Sequence, residues 1–169
     1  MISLEEAREL VLSRVEAMPS EEVGLLDVIG RVAAEDLASD IDISPFAHSA
    51  MDGYAMRESQ LAGASADAPV DLDVIAEVPA GSWYGGPIGE GECVRIMTGA
   101  PLPEVADSVV KYEIVDVVSG NGREGSRVAF AAPIEAGNCV RPAGEEARAG
   151  EVVVHAGEVI HSAGVGFLA

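Results

Sequence analysis

From Val70 onward the chain breaks into short apolar runs, VDLDVIAEV, ECVRIMT, DSVVKYEIVDVV, SRVAF and EVVV, each bounded by glycine or proline. Runs of this length and residue type read as strands, with the glycines and prolines as turns between them. A chain punctuated so often leaves no room for long helices over that stretch, so most of it is expected to be β. Asn121-Gly122 falls between two of the runs. That pair favours the positive φ angles of a hairpin, and its glycine neighbours point to a somewhat longer loop. The GSWYGGPIGEGE stretch from Gly81 is glycine-rich. It has neither the lysine ending of a phosphate loop nor the GxGxxG spacing of a dinucleotide fold, and reads as a flexible connection.

The first residues follow a different rule. Ser3 with Glu6 makes a capping box, and Leu4, Ala7, Leu10, Val11 and Val15 recur at helical spacing. A helix is therefore expected, stopped by Pro19 and Ser20, with an apolar stripe that needs a cover. Val23 to Asp27 begins a second element, broken at Gly30.

With 169 residues, 49% of them hydrophobic, the chain can bury a core as one domain or two small ones. Its 29 acids against 10 bases give a net charge of −19, which repels phosphate backbones and anionic membranes, so neither is expected as a partner. The apolar stretches fall far short of the roughly 20 residues that span a bilayer. Acids stand where a signal peptide would be basic, so a cytoplasmic location is expected. Lys111 is the sole lysine. An anionic ligand must then rely on it, on arginines such as Arg57, Arg95 and Arg141, on backbone amides or on a metal ion. Cys93 and Cys139 lie far apart with no CxxC or histidine-spaced partner, and read as buried, reduced thiols.

Three segments can carry chemistry. In SPFAHSAMDGYAMR, Asp52 precedes Gly53, a turn pair, and the small Ser49 and Ala50 leave space around its carboxylate. The acid either caps its own turn or faces a metal ion or anion. Tyr54 and Met56 should share one face of the following strand, with Ala55 on the other. His48 reads as a turn residue rather than a ligand, because no second histidine has suitable spacing. In RIMTGAPLPE, a strand runs into Thr98-Gly99-Ala100-Pro101, which is either a broken strand end or a turn that aims amides and a hydroxyl at an anion. In RPAGEEARAGEVVVHAG, Arg141, Glu145 and Glu146 set opposite charges beside Gly144, as solvated turns often do.

Together and in this order, SAMDGYAMR at 49–57, RIMTGAPLPE with ADSVV at 95–110, and the 141–157 block resemble the N-terminal region of the molybdopterin molybdenumtransferase family, MoeA, which includes the E domain of gephyrin. The likeness covers nearly the whole chain. It implies insertion of molybdenum from molybdate into adenylylated molybdopterin, with magnesium-assisted loss of the adenylyl group. A Mg2+ ion bridging carboxylate and phosphate oxygens would offset the charge with which an acidic protein repels such substrates. By resemblance, the functional residues fall on Asp52, Thr98 and Glu145. Asp52 and Glu145 would organise the metal or molybdate, and Thr98 would donate a hydrogen bond to an oxyanion. The residues binding the pterin are not implied.

The same resemblance implies a mainly β fold with a few helices, an irregular two-module arm. An inner module would comprise 24–44 and 138–169, an outer one would be inserted at 45–137, and the helix within 1–23 would pack on a central domain. Family enzymes continue into that central pterin-binding domain and act as homodimers, so this chain is expected to be one arm, inactive alone. There are local departures. Phe46-Ala47-His48-Ser49 stands where relatives often read FDNS, Glu146 where aspartate is common, Val105 where glycine is usual, and Lys111-Tyr112-Glu113 where Met-Gln-Glu is usual. The alternative function is a non-catalytic dimerisation or partner-binding β module.

Overall fold

The computed structural model describes residues 2–169. In chain order its elements are α1 (Leu4–Leu12), β1 (Leu37–Ala38), β2 (His48–Ser49), β3 (Gly53–Met56), β4 (Val70–Val78), β5 (Glu92–Ile96), β6 (Ser108–Lys111), β7 (Asp116–Ser119), β8 (Arg127–Phe130), β9 (Val140–Arg141), β10 (Val152–Val154) and α2 (Ser162–Leu168), with 3-10 turns at Leu25–Asp27, Glu58–Leu61 and Tyr112–Ile114. The mainly β expectation holds. The chain forms two compact units, one of Ser39–Glu151 and one of the residues up to Ala38 with Val152–Ala169.

The larger unit is built on a six-stranded sheet ordered β6-β3-β5-β4-β8-β7. Its interior strands alternate between two cores. Tyr54, Met56, Leu72, Val74 and Cys93 enter one cluster, while Ala55, Val94, Ile96 and Val109 enter the other. A strand buried on both faces has an unbroken apolar run, and β3 is buried at every position. Tyr54 and Met56 do share one face, with Ala55 opposite. The Tyr54 ring meets Phe130 edge-on at 6.0 Å, and its hydroxyl donates to the Gly122 carbonyl at 2.9 Å.

The hairpin expected around Asn121-Gly122 is present, with β7 and β8 pairing antiparallel across a loop at 120–126. The glycine-rich stretch connects β4 to β5, which run parallel. A parallel pair needs a crossover of a dozen or more residues, and 79–91 supplies it without a helix.

The unit also takes in the residues on either side of 45–137. β2 pairs with β9, and Ile43 bridges Ala147, so the flanks at 39–44 and 138–151 are stitched onto it.

In the smaller unit, β1 pairs antiparallel with β10, and Ala33, Val154 and Ile160 form a small core backed by Leu37, Val165 and Leu168. The capping box at the start of α1 is complete: Ser3 Oγ accepts from the Glu6 amide at 3.1 Å, and the Glu6 carboxylate accepts from the Ser3 amide at 2.8 Å. The helix stops at Leu12, well before Pro19. Its last turn tightens as the Ser13 hydroxyl donates to the Leu10 carbonyl and Arg14 bonds back to Val11. No residue of α1 is buried, so no packing energy extends it.

Candidate functional site

The first segment folds into a turn held by its own hydroxyl. Ser49, fully buried at the end of β2, donates from Oγ to the Met51 carbonyl at 2.6 Å. Asp52 then sits at the entry to β3. Gly53 follows because the chain runs so close to β6 that a Cβ there would overlap the Val110 carbonyl oxygen. That is a steric reason for the Asp-Gly pair, separate from turn propensity.

The second segment docks onto the first. The turn after β5 places Gly99 at φ +80°, a conformation that favours glycine. Its amide donates to the Ser49 carbonyl at 2.9 Å, and Ser49 donates back to the Ala100 carbonyl at 3.0 Å. Thr98 is thereby laid against Asp52. The Thr98 amide reaches Asp52 Oδ1 at 2.8 Å, and its hydroxyl reaches the same oxygen at 2.7 Å. These two bonds, amide first, hold the Asp52 carboxyl below the usual carboxylate range; the nearby Arg95 guanidinium adds to the effect. The carboxylate is thus ionised and half-exposed. Its Oδ2 takes part in no hydrogen bond or ion pair among the described residues.

Direction matters at Thr98. An ionised carboxylate only accepts, so the hydroxyl proton points at Asp52 and is not free for an oxyanion. The side chain positions the acid first.

The third segment begins on β9, where Arg141 lies directly opposite His48. The turn that follows is pinned by the Gly144 amide donating to the Ser44 carbonyl at 2.8 Å. Glu145 and Glu146 project from it onto Arg141, at 2.9 Å to Nε and 3.8 Å to Nη1. His48 is therefore a strand residue, not a turn residue, and its Nδ1 lies 3.4 Å from the Phe46 carbonyl.

A cavity of about 300 Å³ joins the three segments, lined by His48, Ser49, Ala50, Thr98, Gly99 and Arg141. Thr98, which holds Asp52, and Arg141 both line it. Glu145 stands behind Arg141, and no hydrogen bond or ion pair joins it to Asp52 among the described residues.

Nor does any group of three or more His, Cys, Asp or Glu side chains converge as a metal cage among those residues. The donor set fits Mg2+ only in part. Mg2+ takes one or two carboxylates, with substrate and water oxygens completing its shell. Asp52 Oδ2 suits such a role, whereas Glu145 is committed to Arg141.

Elsewhere the two thiols are free, Cys93 buried and Cys139 half-buried. Among the described residues no helix is long and apolar enough to cross a membrane.

The geometry fits the comparisons with known proteins. The family described as "MoeA N-terminal region (domain I and II)" matches residues 2–169. A molybdopterin molybdenumtransferase of Synechococcus elongatus is 39% identical over 94% of this chain and 38% of its own length. One from Staphylococcus aureus is 32% identical over 99% of this chain and 39% of its own. The crystal structure of a molybdopterin biosynthesis moeA protein from Pyrococcus horikoshii superposes with a TM-score of 0.88 at 33% identity, over 97% of this chain and 42% of that one. The chain thus spans about two fifths of the length of these relatives, 38–42%. Family match, sequence relatives and superposed fold coincide over nearly every residue, and the chain belongs to the MoeA N-terminal region family.

Proposed function

We propose that this chain is the N-terminal arm of a cytoplasmic molybdopterin molybdenumtransferase, which inserts molybdenum from molybdate into adenylylated molybdopterin. The observation that carries the reading is the pair of bonds from Thr98 to one oxygen of Asp52 at a cavity edge. They fix an ionised carboxylate with its second oxygen free. In this reading Asp52 is the working acid and Thr98 holds it. Glu145 acts through Arg141, orienting the guanidinium.

Mg2+, when bound, offsets substrate charge and polarises the phosphoryl centre. Asp52 would hold it, while Glu145, the second ligand that the resemblance implies, stays on Arg141 in this reading. A half-site of this kind becomes complete only against further walls. The arm therefore works within a homodimer, where a central domain supplies the pterin-binding surface, and it is inactive alone. The outer module of 45–137 and the inner one of 24–44 with 138–169 would be the mechanical parts of that arm.

The test is molybdenum insertion into adenylylated molybdopterin by an enzyme that contains this chain. Asp52→Asn should lower turnover by about 100-fold, the scale of losing one positioned charge at a reacting centre. Residues 1–169 alone should show none. Turnover by the isolated arm at the intact enzyme's rate would refute the need for a second wall.

A second reading, a non-catalytic dimerisation or docking module, draws on α1, whose Leu4, Leu10 and Val11 are all exposed. A wild-type rate in the Asp52→Asn enzyme would favour it.

A further inference from the structure

The cavity beside Thr98 has one side that the acid does not use. On the Asp52 side every hydrogen-bond donor is already spent. The Thr98 amide and hydroxyl go to Asp52, the Ser49 hydroxyl to Met51, the Gly99 amide to Ser49, and the Ala50 amide to Cys139. A ligand oxygen entering there finds no free proton among these groups. Two lining side chains differ. His48 and Arg141 are direct partners across the antiparallel β2–β9 ribbon, so their side chains leave the same face about 5 Å apart at Cβ.

We propose that His48 and Arg141 form a clamp for a tetrahedral oxyanion, a phosphoryl or molybdate-type group, at the cavity rim. The inference rests on the reading above that this site handles anionic substrates, and it adds residues to that reading. Arg141 is preset rather than loose. Glu145 takes its Nε edge at 2.9 Å and Glu146 approaches Nη1 at 3.8 Å, while Nη2 is in no ion pair among the described residues. A guanidinium carries five donors in a fixed fork, so with Glu145 on Nε and Glu146 near Nη1 the Nη2 donors are left to bind. The same acids prevent a bare positive charge from standing in an empty cavity.

His48 complements it. Its Nδ1 lies 3.4 Å from the Phe46 carbonyl, and the residue lines the cavity, which leaves Nε2 as the ring nitrogen for a ligand. An oxyanion at Nε2 is held by the ring form that carries a proton there. The charged groups near the cavity are Arg141, with Glu145 and Glu146 upon it, and Asp52 upon Thr98, in a chain of net charge −19. Against that background the anion needs both donors. At about 300 Å³, the space is at the small end of ligand sites and suits the anionic terminus of a substrate better than its body.

The test is side-chain NMR of the imidazoles as inorganic phosphate, AMP or molybdate is added. His155 and His161, both exposed in the other unit, serve as internal references. His48 resonances should shift saturably while those of His155 and His161 stay in place. Followed at the Gly99 amide, His48→Asn should weaken binding about fivefold, one charge-assisted hydrogen bond. Arg141→Gln should weaken it about tenfold, and Arg141→Lys should restore part of it. Tighter binding of AMP than of molybdate identifies the anion as phosphoryl, and the reverse order as the metal oxyanion. Should His48 move no more than the reference histidines, or Arg141→Gln bind as wild type with an unchanged amide spectrum, the clamp is overturned. The functional reading is judged separately, by turnover of the Asp52→Asn enzyme.

Discussion

Thr98 donates two hydrogen bonds to a single oxygen of Asp52, from its amide at 2.8 Å and its hydroxyl at 2.7 Å, across 46 positions of sequence. One residue thereby fixes the ionisation, the direction and the remaining free oxygen of the acid. Thr98→Val keeps the amide bond and removes the other. The expected cost is about 1 kcal/mol in urea unfolding, below the value for a buried charged acceptor because Asp52 is half-exposed.

The same pair sets a pH dependence. Asp52 titrates below its ordinary value in the folded chain, so its contribution to stability is complete above the usual carboxylate pKa of about 4. It is lost as pH falls through the lowered folded value. In Thr98→Val the folded value should rise towards the ordinary one, so the loss is smaller and is over at higher pH, a change visible in carboxyl NMR titration and in acid unfolding curves.

Gly53→Ala should be among the most damaging small substitutions in the sheet. The added methyl meets the Val110 carbonyl oxygen, with the Val109 side chain 2.9 Å away. A backbone atom of a paired strand cannot step aside cheaply, so a loss of about 3 kcal/mol is expected in chemical denaturation. Gly125→Ala serves as the contrast for crowding, since nothing lies within 4 Å of its added Cβ and only its positive φ is strained.

Burial, with the Arg95 guanidinium acting in the opposite sense, leaves the Tyr54 phenol titrating above its ordinary value. The neutral phenol is the stabilising form. Its contribution is complete below the ordinary phenol pKa of about 10 and is lost as pH rises through the folded value. Tyr54→Phe should cost about 1 kcal/mol at neutral pH, because Arg95 still donates to the Gly122 carbonyl at 2.8 Å. It should also remove this component of alkaline unfolding.

Burial and the Asp73 carboxylate push the Cys93 thiol up to about 12. In the native chain an alkylating reagent should therefore modify Cys139 alone. Cys93 should react only after denaturant is added, as counted by mass spectrometry.

The sequence showed much of this fold where periodicity was strong and local. The expected run of β4 at Val70–Val78 coincides with the observed strand, because alternation over nine residues leaves little ambiguity. Short or distant pairings left no such trace. β2 and β9 have two residues each, and nothing local announces that His48 will face Arg141. α2 was hidden by Gly164 and Gly166, each costing roughly 1 kcal/mol in a helix. Contacts with the smaller unit's core hold it in place through Val165 and Leu168. The apolar stripe continues to Val15, whereas the helix ends at Leu12 because nothing packs on its last turn.

For the site, the motifs marked Asp52, Thr98 and Glu145 as residues. They did not reveal that the Thr98 hydroxyl is spent on Asp52, or that Glu145 is held by Arg141. Those facts depend on how three segments dock, and docking is a property of the folded sheet.

The most direct measurement is molybdenum insertion into adenylylated molybdopterin by an enzyme carrying this arm, with Asp52 or with asparagine in its place, both checked for equal folding. The expected result is a turnover about 100-fold lower for Asp52→Asn. Equal rates in the two proteins would contradict the claim that this carboxylate works at the reacting centre.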